Sequence, residues 1–427
     1  MKICVLSFHC CPYSQIGGDG VGGMNVYLRE LCSRLKDFPE TEVDIFTRVQ
    51  NPGIKGIRTQ ASSLRVIHLK GGPESFIDRQ KLCGHLPEFA FHLERFILGE
   101  DTPYDIIYSH YWLSGLAGAW MKHRFDLPLV HTYHTLAFLK NRAMGGLGHT
   151  SRVGAEHDLV NDADKIISTS TEEKQSLINN SPVYPGKIDV IFPGVNMELF
   201  RPGMDRSILS EIGSLEQDRI LLYVGRIEPV KGLMSVIEAF DIMQKNQSPL
   251  FGRLKLVVIG GGDKTSDFVK NEEIIRIQDT IRKKGLGDKV IFLGSKKQFE
   301  LKKYYSQADA LIVPSLYESF GLVVLEALAC GTPVLVSQIG KMRTIVKEGK
   351  NGFCFLPNSP DSLSECIKYF YANKEKLWPK ENIRSDIINT FSWERTAEKT
   401  YRALSGLLMR RALVTTTLRP GGILQPA

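Results

Sequence analysis

Residues 2–48, KICVLSFHCCPYSQIGGDGVGGMNVYLRELCSRLKDFPETEVDIFTR, carry the pattern on which the fold turns. A β-branched and aliphatic run (KICVLSF, 2–8) precedes an amphipathic stretch (GMNVYLRELCSRLK, 23–36) and a second β-branched run (EVDIFTR, 42–48). Strand, helix and strand in that order place the two strands parallel in one sheet with the helix across its face. The alternation continues through YDIIYSH (104–110), PLVHTYH (128–134), KIISTS (165–170) and IDVIF (188–192), which predicts a Rossmann-like first half with helices on both sides of the sheet.

The hydrophobic pattern lapses after Phe192-Pro193-Gly194-Val195-Asn196 and restarts at ILLYVGR (220–226). LKLVVIG (254–260), KVIFLG (289–294), ALIVPS (310–315) and PVLVS (333–337) continue it. Pro and Gly punctuate 195–215, so a boundary between two α/β domains is set there. At 427 residues the chain exceeds what one hydrophobic core usually serves. The expected division is a first domain over 1–200, a second over 201–390, a last helix over 391–410 with Ser392 as its N-cap, and a loose tail over 411–427.

Hydrophobic residues at 43% and charged residues at 24% describe a globular chain and exclude wholesale disorder. The apolar run after Met1 falls far short of the roughly 20 residues a membrane span needs, so it reads as a buried strand, with no integral membrane span. The eight cysteines show no C-x-x-C spacing, which argues for reduced thiols in a cytoplasmic protein and against a metal site. A net charge of +7, scattered among acids, gives nucleic-acid binding only weak support and suits small anionic substrates or loose attraction to a membrane surface equally. All ten histidines lie between His9 and His157, an asymmetry that assigns the halves different work.

Gly18-Asp19-Gly20-Val21-Gly22-Gly23 contains the dinucleotide spacing G-x-G-x-x-G, with Asp44 about 20 residues on. The context argues against an oxidoreductase. The loop from Phe8 to Met24 is roughly 15 residues long, whereas a dinucleotide site wants its glycines at the strand end, and Asp44 falls inside a strand. What remains is a Gly22-Gly23 helix start whose free N–H groups favour a phosphate.

In the second half, Arg226 and Lys231 stand five apart around a Pro-containing turn at a strand end, two cations suited to a diphosphate leaving group. Glu318 at a helix entrance and Glu326 about two turns and 12 Å further on suit the hydroxyls of a sugar and a ribose. Between them the amides of Ser319, Phe320, Gly321 and Leu322 form a second anion-ready helix start.

The blocks VGRIEPVKG (224–232), PSLYESFGLVVLEA (314–327) and ACGTPV (329–334) resemble, in order, those of the family 4 glycosyltransferases. The resemblance implies the GT-B fold, an α/β architecture of two Rossmann-like domains facing a central cleft, with the C-terminal helix returning to the first domain. It further implies a nucleotide-sugar donor on the second domain, UDP by family weight, retention at the anomeric carbon, no essential metal and no cofactor. In the first half, Gly22-Gly23-Met24-Asn25-Val26-Tyr27, Ser109-His110-Tyr111-Trp112-Leu113-Ser114-Gly115 and His131-Thr132-Tyr133-His134-Thr135-Leu136-Ala137 with Lys140-Asn141 resemble the branch that glycosylates a small phosphorylated acceptor such as inositol phosphate.

Carried over residue by residue, the resemblance puts Gly23, Arg226, Lys231, Glu318, Phe320, Gly321, Leu322 and Glu326 at the donor. It puts Met24, Asn25, Tyr111, Thr135 and Arg152 at the acceptor, with one basic residue after Gly72-Pro73, either Arg79 or Lys81. Arg226 and Lys231 would hold the diphosphate, Glu318 the donor sugar, Glu326 the ribose, and His134 would orient the donor sugar. Ile339-Gly340-Lys341-Met342 departs from the family's Gly-Gly-Leu-Pro by placing a cation in a donor-site loop. Two other acceptors compete: a fructose phosphate, as in a sucrose-phosphate-synthase-like enzyme, and a lipid or polysaccharide. The resemblance leaves room for a homodimer.

Overall fold

The computed structural model describes residues 1–14, 22–79, 81–146, 150–203, 208–213, 215–262, 271–340 and 342–417. The first glycines of the Gly18–Gly23 loop, Lys341 and the last ten residues lie outside them.

Two sheets organise the chain. The first contains β1 (Lys2–Leu6), β2 (Glu42–Arg48), β3 (Gly56–Ala61), β4 (Leu64–Leu69), β5 (Ile106–His110), β6 (Leu129–Thr132), β7 (Lys165–Ser168) and β8 (Ile188–Val190), in the order β3-β4-β2-β1-β5-β6-β7-β8. Only β3 runs antiparallel, against β4, and it forms an exposed edge. The second contains β9 (Arg219–Val224), β10 (Leu254–Ile259), β11 (Val290–Gly294), β12 (Ala310–Val313), β13 (Val334–Ser337) and β14 (Gly352–Phe355), in the order β11-β10-β9-β12-β13-β14, all parallel. Both are Rossmann-like, and strand order reverses beside β1 and β9, so the crevices open at the carboxyl ends of those strands.

Side-chain alternation builds a core on each sheet face. Cys4 and Leu6 of β1 join Phe46, Ile67 and Ile107 on one side, under the helices Leu86–Leu98 and Trp112–Phe125. Ile3 and Val5 join Val43, Ile45 and Tyr108 on the other, against Tyr27, Leu28, Leu31 and Leu35 of the helix Gly23–Leu35. Each such buried aliphatic side chain contributes about 1.5–3 kcal/mol relative to exposure. In the second sheet Leu222, Val257 and Leu311 face one core, and Leu221, Leu256 and Ile312 the other.

Two chain segments cross between the sheets side by side. Val195 bridges Ser392 in parallel register and its N–H donates to the Phe391 carbonyl at 3.0 Å. A Cβ on Gly194 would lie 2.2 Å from the Trp393 nitrogen, so only glycine allows this approach. The last helix, Trp393–Thr417, has Ser392 accepting from the Arg395 N–H at 3.2 Å. Trp393, Ala397 and Leu404 are buried in the core shared with the Gly23–Leu35 helix, Trp393 stands edge-on to Tyr27, and Tyr401 stacks on Phe38. The expected tail over 411–427 is corrected in part: the helix continues past 410 to Thr417, because no breaker precedes Pro420. Among the described residues no helix is long and apolar enough to cross a membrane.

Candidate active site

On the second domain, β9 and β12 end in two turns that touch. Gly232 closes the Pro229–Lys231 turn at φ +71°, and a Cβ there would stand 2.1 Å from the Pro314 carbonyl oxygen. The Leu316 N–H donates to the Val230 carbonyl at 2.8 Å. This contact delivers Lys231 to Glu318, whose carboxylate lies 2.5 Å from Lys231 Nζ in a half-buried ion pair. Arg226, exposed, pairs with Glu228.

The chain then turns at Gly321, φ +80°, into the helix Leu322–Ala329, whose first residue Leu322 packs towards both domains. The Phe320 ring lies in the core, 6.2 Å from Phe192 and 6.0 Å from Phe391, which leaves its main chain as the part of the residue at the turn. Its side chain supports the turn. Glu326 is buried, accepts from the Tyr305 hydroxyl at 2.8 Å and the Gln298 amide at 3.1 Å, and burial raises its carboxyl above the ordinary range. Arg29 of the first domain donates to Gln298 Oε1 at 2.5 Å, so Gln298 connects Glu326 to the opposite wall.

On the first domain, β5 ends in Tyr111 at φ +73°, a left-handed conformation that a bulky residue adopts only where its surroundings enforce it. The turn aims the ring at Arg152, whose guanidinium sits 4.7 Å from the ring centre. Arg152 Nη2 donates to both the Thr135 hydroxyl (2.7 Å) and the Thr135 carbonyl (2.8 Å), and Nε donates to Glu156 at 2.8 Å. Tyr111, Thr135 and Arg152 therefore meet, although they come from three separate segments. His134, also at positive φ, is buried with Nε2 3.0 Å from His110 Nδ1 and its ring edge-on to Tyr27 at 4.9 Å.

Of the two basic alternatives after Pro73, Arg79 lies close enough for its charge to help lower the protonation of His9 and Lys140, after burial. Lys81 is exposed at the start of the turn Leu82–His85. Asn25 is buried in the first turn of the helix Gly23–Leu35. Its buried side chain donates to the Cys11 carbonyl at 2.9 Å and accepts from the Gly22 N–H at 3.0 Å, so it fastens the helix start to the β1 loop. Met24 is half-buried between the two first-domain cores, and Gly23 opens the helix opposite Leu322, where an added Cβ would lie 3.5 Å from Leu322 Cδ1.

Three residues outside the expected set belong to this cleft. His9, at the end of β1, lies 4.6 Å from the Tyr111 ring, and its Nδ1 is buried without a hydrogen-bond partner among the described residues. Burial first, then Arg79, His134 and Arg152, holds its imidazole neutral, well below the usual range. Lys140 is lowered by burial first and by Arg226, Arg152 and Arg79, against the pull of Glu228. Tyr317 accepts from the Leu136 N–H at 3.1 Å across the cleft. The carboxyl end of β1 was the only sequence signal for His9, and nothing local marks Tyr317.

The cleft thus has Arg152 with Tyr111 and Thr135 on one wall, and Arg226, Lys231, Glu318 and Glu326 on the other. Cations suit phosphate groups and the carboxylates suit sugar hydroxyls. Two Rossmann-like domains closing on such a cleft define a glycosyltransferase of the GT-B class. Residues 21–199 match the family described as Glycosyltransferase Family 4, and residues 205–384 match Glycosyl transferases group 1. The chain belongs to the family 4 glycosyltransferases. A D-inositol 3-phosphate glycosyltransferase of Geodermatophilus obscurus is 32% identical over 100% of this chain and 94% of its own. A sucrose-phosphate synthase from Thermosynechococcus elongatus superposes with a TM-score of 0.85 at 30% identity, covering 97% of this chain and 99% of that one. Anabaena HepE, solved with UDP and glucose, shares the fold at a TM-score of 0.71 and 19% identity over 95% of this chain and 100% of that one.

Proposed function

We propose that the enzyme transfers a hexose or N-acetylhexosamine from a nucleoside diphosphate sugar, with UDP favoured, to a small phosphorylated acceptor such as inositol phosphate, with retention. The first domain, 1–200, takes the acceptor and the second, 201–390, the donor. The carrying observation is the convergence of Tyr111, Thr135 and Arg152, with Arg79 and Lys140 beside them: an anion clamp on the wall opposite the Arg226 and Lys231 turn.

In this reading the acceptor phosphate sits on Arg152 and Arg79, and the donor diphosphate on Arg226 and Lys231. Glu318 leaves Lys231 for a donor sugar hydroxyl, and Glu326 accepts from the ribose. The C1–O bond to the diphosphate breaks through an oxocarbenium-like state while the acceptor hydroxyl bonds to C1 from the same face, and its proton passes to the departing phosphate oxygen. The two cations stabilise that leaving group without a metal, and His134 orients the sugar. Contacts such as Leu136 to Tyr317 close the cleft against water. The eight free cysteines suit a reducing cytoplasm.

A fructose phosphate acceptor is the second reading, favoured by the similarity to sucrose-phosphate synthase across nearly the whole chain. One assay separates them. The purified enzyme in EDTA is given each of UDP-GlcNAc, UDP-glucose, ADP-glucose and GDP-mannose with inositol phosphate or fructose 6-phosphate, and nucleoside diphosphate release and product mass are read. Turnover with one phosphorylated acceptor is expected. Nucleotide binding with no turnover for any pair counts against a small acceptor.

A further inference from the structure

Glu156 sits one turn after Arg152 on the helix Thr150–Asp162 and pairs with it. Its side chain is buried beneath the cleft wall, with 4% of its surface exposed, so it does not reach a bound acceptor. One carboxylate oxygen accepts from Arg152 Nε at 2.8 Å, and the other from the Ala137 N–H at 2.7 Å. Its main-chain carbonyl accepts from the Tyr133 hydroxyl at 2.8 Å. Ala137 opens the short helix Ala137–Ala143, which bears Lys140, and follows the Thr135 whose two oxygens hold Arg152 Nη2. A single carboxylate therefore ties the helix Thr150–Asp162, which supplies Arg152, to the segment that supplies Thr135 and Lys140.

The geometry leaves one edge of the guanidinium available. Nε is on Glu156, Nη2 is on Thr135, and the face is covered by Tyr111. Nη1 has no protein partner among the described residues. A planar guanidinium anchored at two nitrogens cannot swing, so Nη1 points one way at no further cost in side-chain entropy when an anion arrives.

We infer that Glu156 is the positioning residue of the acceptor-anion clamp: it orients Arg152 and the Lys140 helix for a phosphorylated acceptor without touching it. Burial pushes the Glu156 carboxyl up to about 7 even against the pull of Arg152 and the Ala137 N–H, both of which favour the carboxylate. A carboxamide cannot replace it, because one of its two ends is a donor and would face either Arg152 Nε or the Ala137 N–H.

The inference rests on the acceptor reading above, and the experiment separates the two. Acceptor KM, donor KM and kcat are measured for wild type, Glu156→Gln, Glu156→Asp, Arg152→Ala and the double variant Glu156→Gln with Arg152→Ala, using the phosphorylated acceptor found by the substrate assay. Glu156→Gln is expected to raise acceptor KM by roughly tenfold or more while kcat at saturating acceptor and donor KM stay within about threefold. Glu156→Asp, which keeps both acceptor oxygens, is expected to recover part of that loss, and it supplies the same split if the glutamine variant does not accumulate. In the Arg152→Ala background, Glu156→Gln is expected to add little. Equal rises in donor and acceptor KM, or full additivity in the double variant, overturn the positioning role. An Arg152→Ala enzyme with wild-type acceptor KM instead overturns the clamp itself.

Discussion

Lys231 and Glu318 stand 87 residues apart in the chain, yet their charged groups meet at 2.5 Å where the turns after β9 and β12 touch. The pair places a cation and a carboxylate at one point of the cleft, where each neutralises the other. Arg226 is likewise held, by Glu228.

Lys231→Ala removes one of the two charges proposed to stabilise the departing diphosphate. The expected fall in kcat is roughly 10²–10³-fold, the usual cost of losing one such electrostatic contact, with acceptor KM little changed. Arg226→Ala and Glu318→Gln are expected to lower turnover in the same sense. Steady-state kinetics alongside circular dichroism decide it: a folded Lys231→Ala enzyme turning over like wild type removes Lys231 from the reaction.

Glu326→Gln tests the ribose assignment. The carboxylate accepts from Tyr305 and from Gln298, and a carboxamide cannot accept from both without turning its nitrogen towards a donor. Nucleotide binding is expected to weaken by about tenfold or more, in line with a charge-assisted hydrogen bond of about 1.5–3 kcal/mol. Calorimetric titration with UDP reads it, and an unchanged affinity would place the ribose elsewhere.

Two glycines at the site differ in what surrounds them. At Gly232 an added Cβ meets the Pro314 main-chain oxygen at 2.1 Å, whereas at Gly321 it meets the flexible end of Met342 at 2.4 Å. Both have positive φ, so each alanine carries about 1–2 kcal/mol of backbone strain. Gly232→Ala is expected to lower Tm further than Gly321→Ala, because main chain cannot step aside; thermal unfolding showing the reverse order would contradict the turn-on-turn packing.

Burial holds His9, His68, His110 and His131 below the ordinary histidine range, His131 at about 3. Unfolding lets each take up a proton once the pH is under about 6.5, so stability declines as pH falls below that value, by up to about 1.4 kcal/mol per pH unit for each fully buried ring. Glu156 and Glu326 act oppositely, since their raised native carboxyls keep protons that the unfolded chain releases as pH rises through the ordinary carboxyl range. Urea unfolding at pH 7.5 and 5.5 is expected to show net loss at the lower pH, and a shallower loss in His131→Gln. Equal slopes for the two proteins would mean His131 is not held neutral.

How much was legible in the sequence divides along one line. The β-branched runs and amphipathic stretches located two parallel sheets, since a period of two or of 3.6 is a property of neighbouring residues. The motifs likewise marked Arg226, Lys231, Glu318 and Glu326, because these are local to two strand-end turns. The inward turn of the Phe320 ring and the tethering of the helix start by Asn25 were not legible, since each depends on what packs against the residue from distant segments.

Sequence by itself determined that β1, the helix Gly23–Leu35 and β2 form a strand-helix-strand unit with parallel strands, and it singled out the two strand-end turns that carry Arg226, Lys231 and Glu318. Tertiary structure alone supplied the contacts through which Tyr111, Thr135 and Arg152, grouped in the sequence only by resemblance, meet, and it added the buried Glu156 and His9 to them. The reason is geometric: periodicity fixes which face of an element is buried, but the meeting of residues from separate strand ends is set by how parallel strands order themselves in the sheet, and that order is a sum of long-range packing contacts no local pattern encodes.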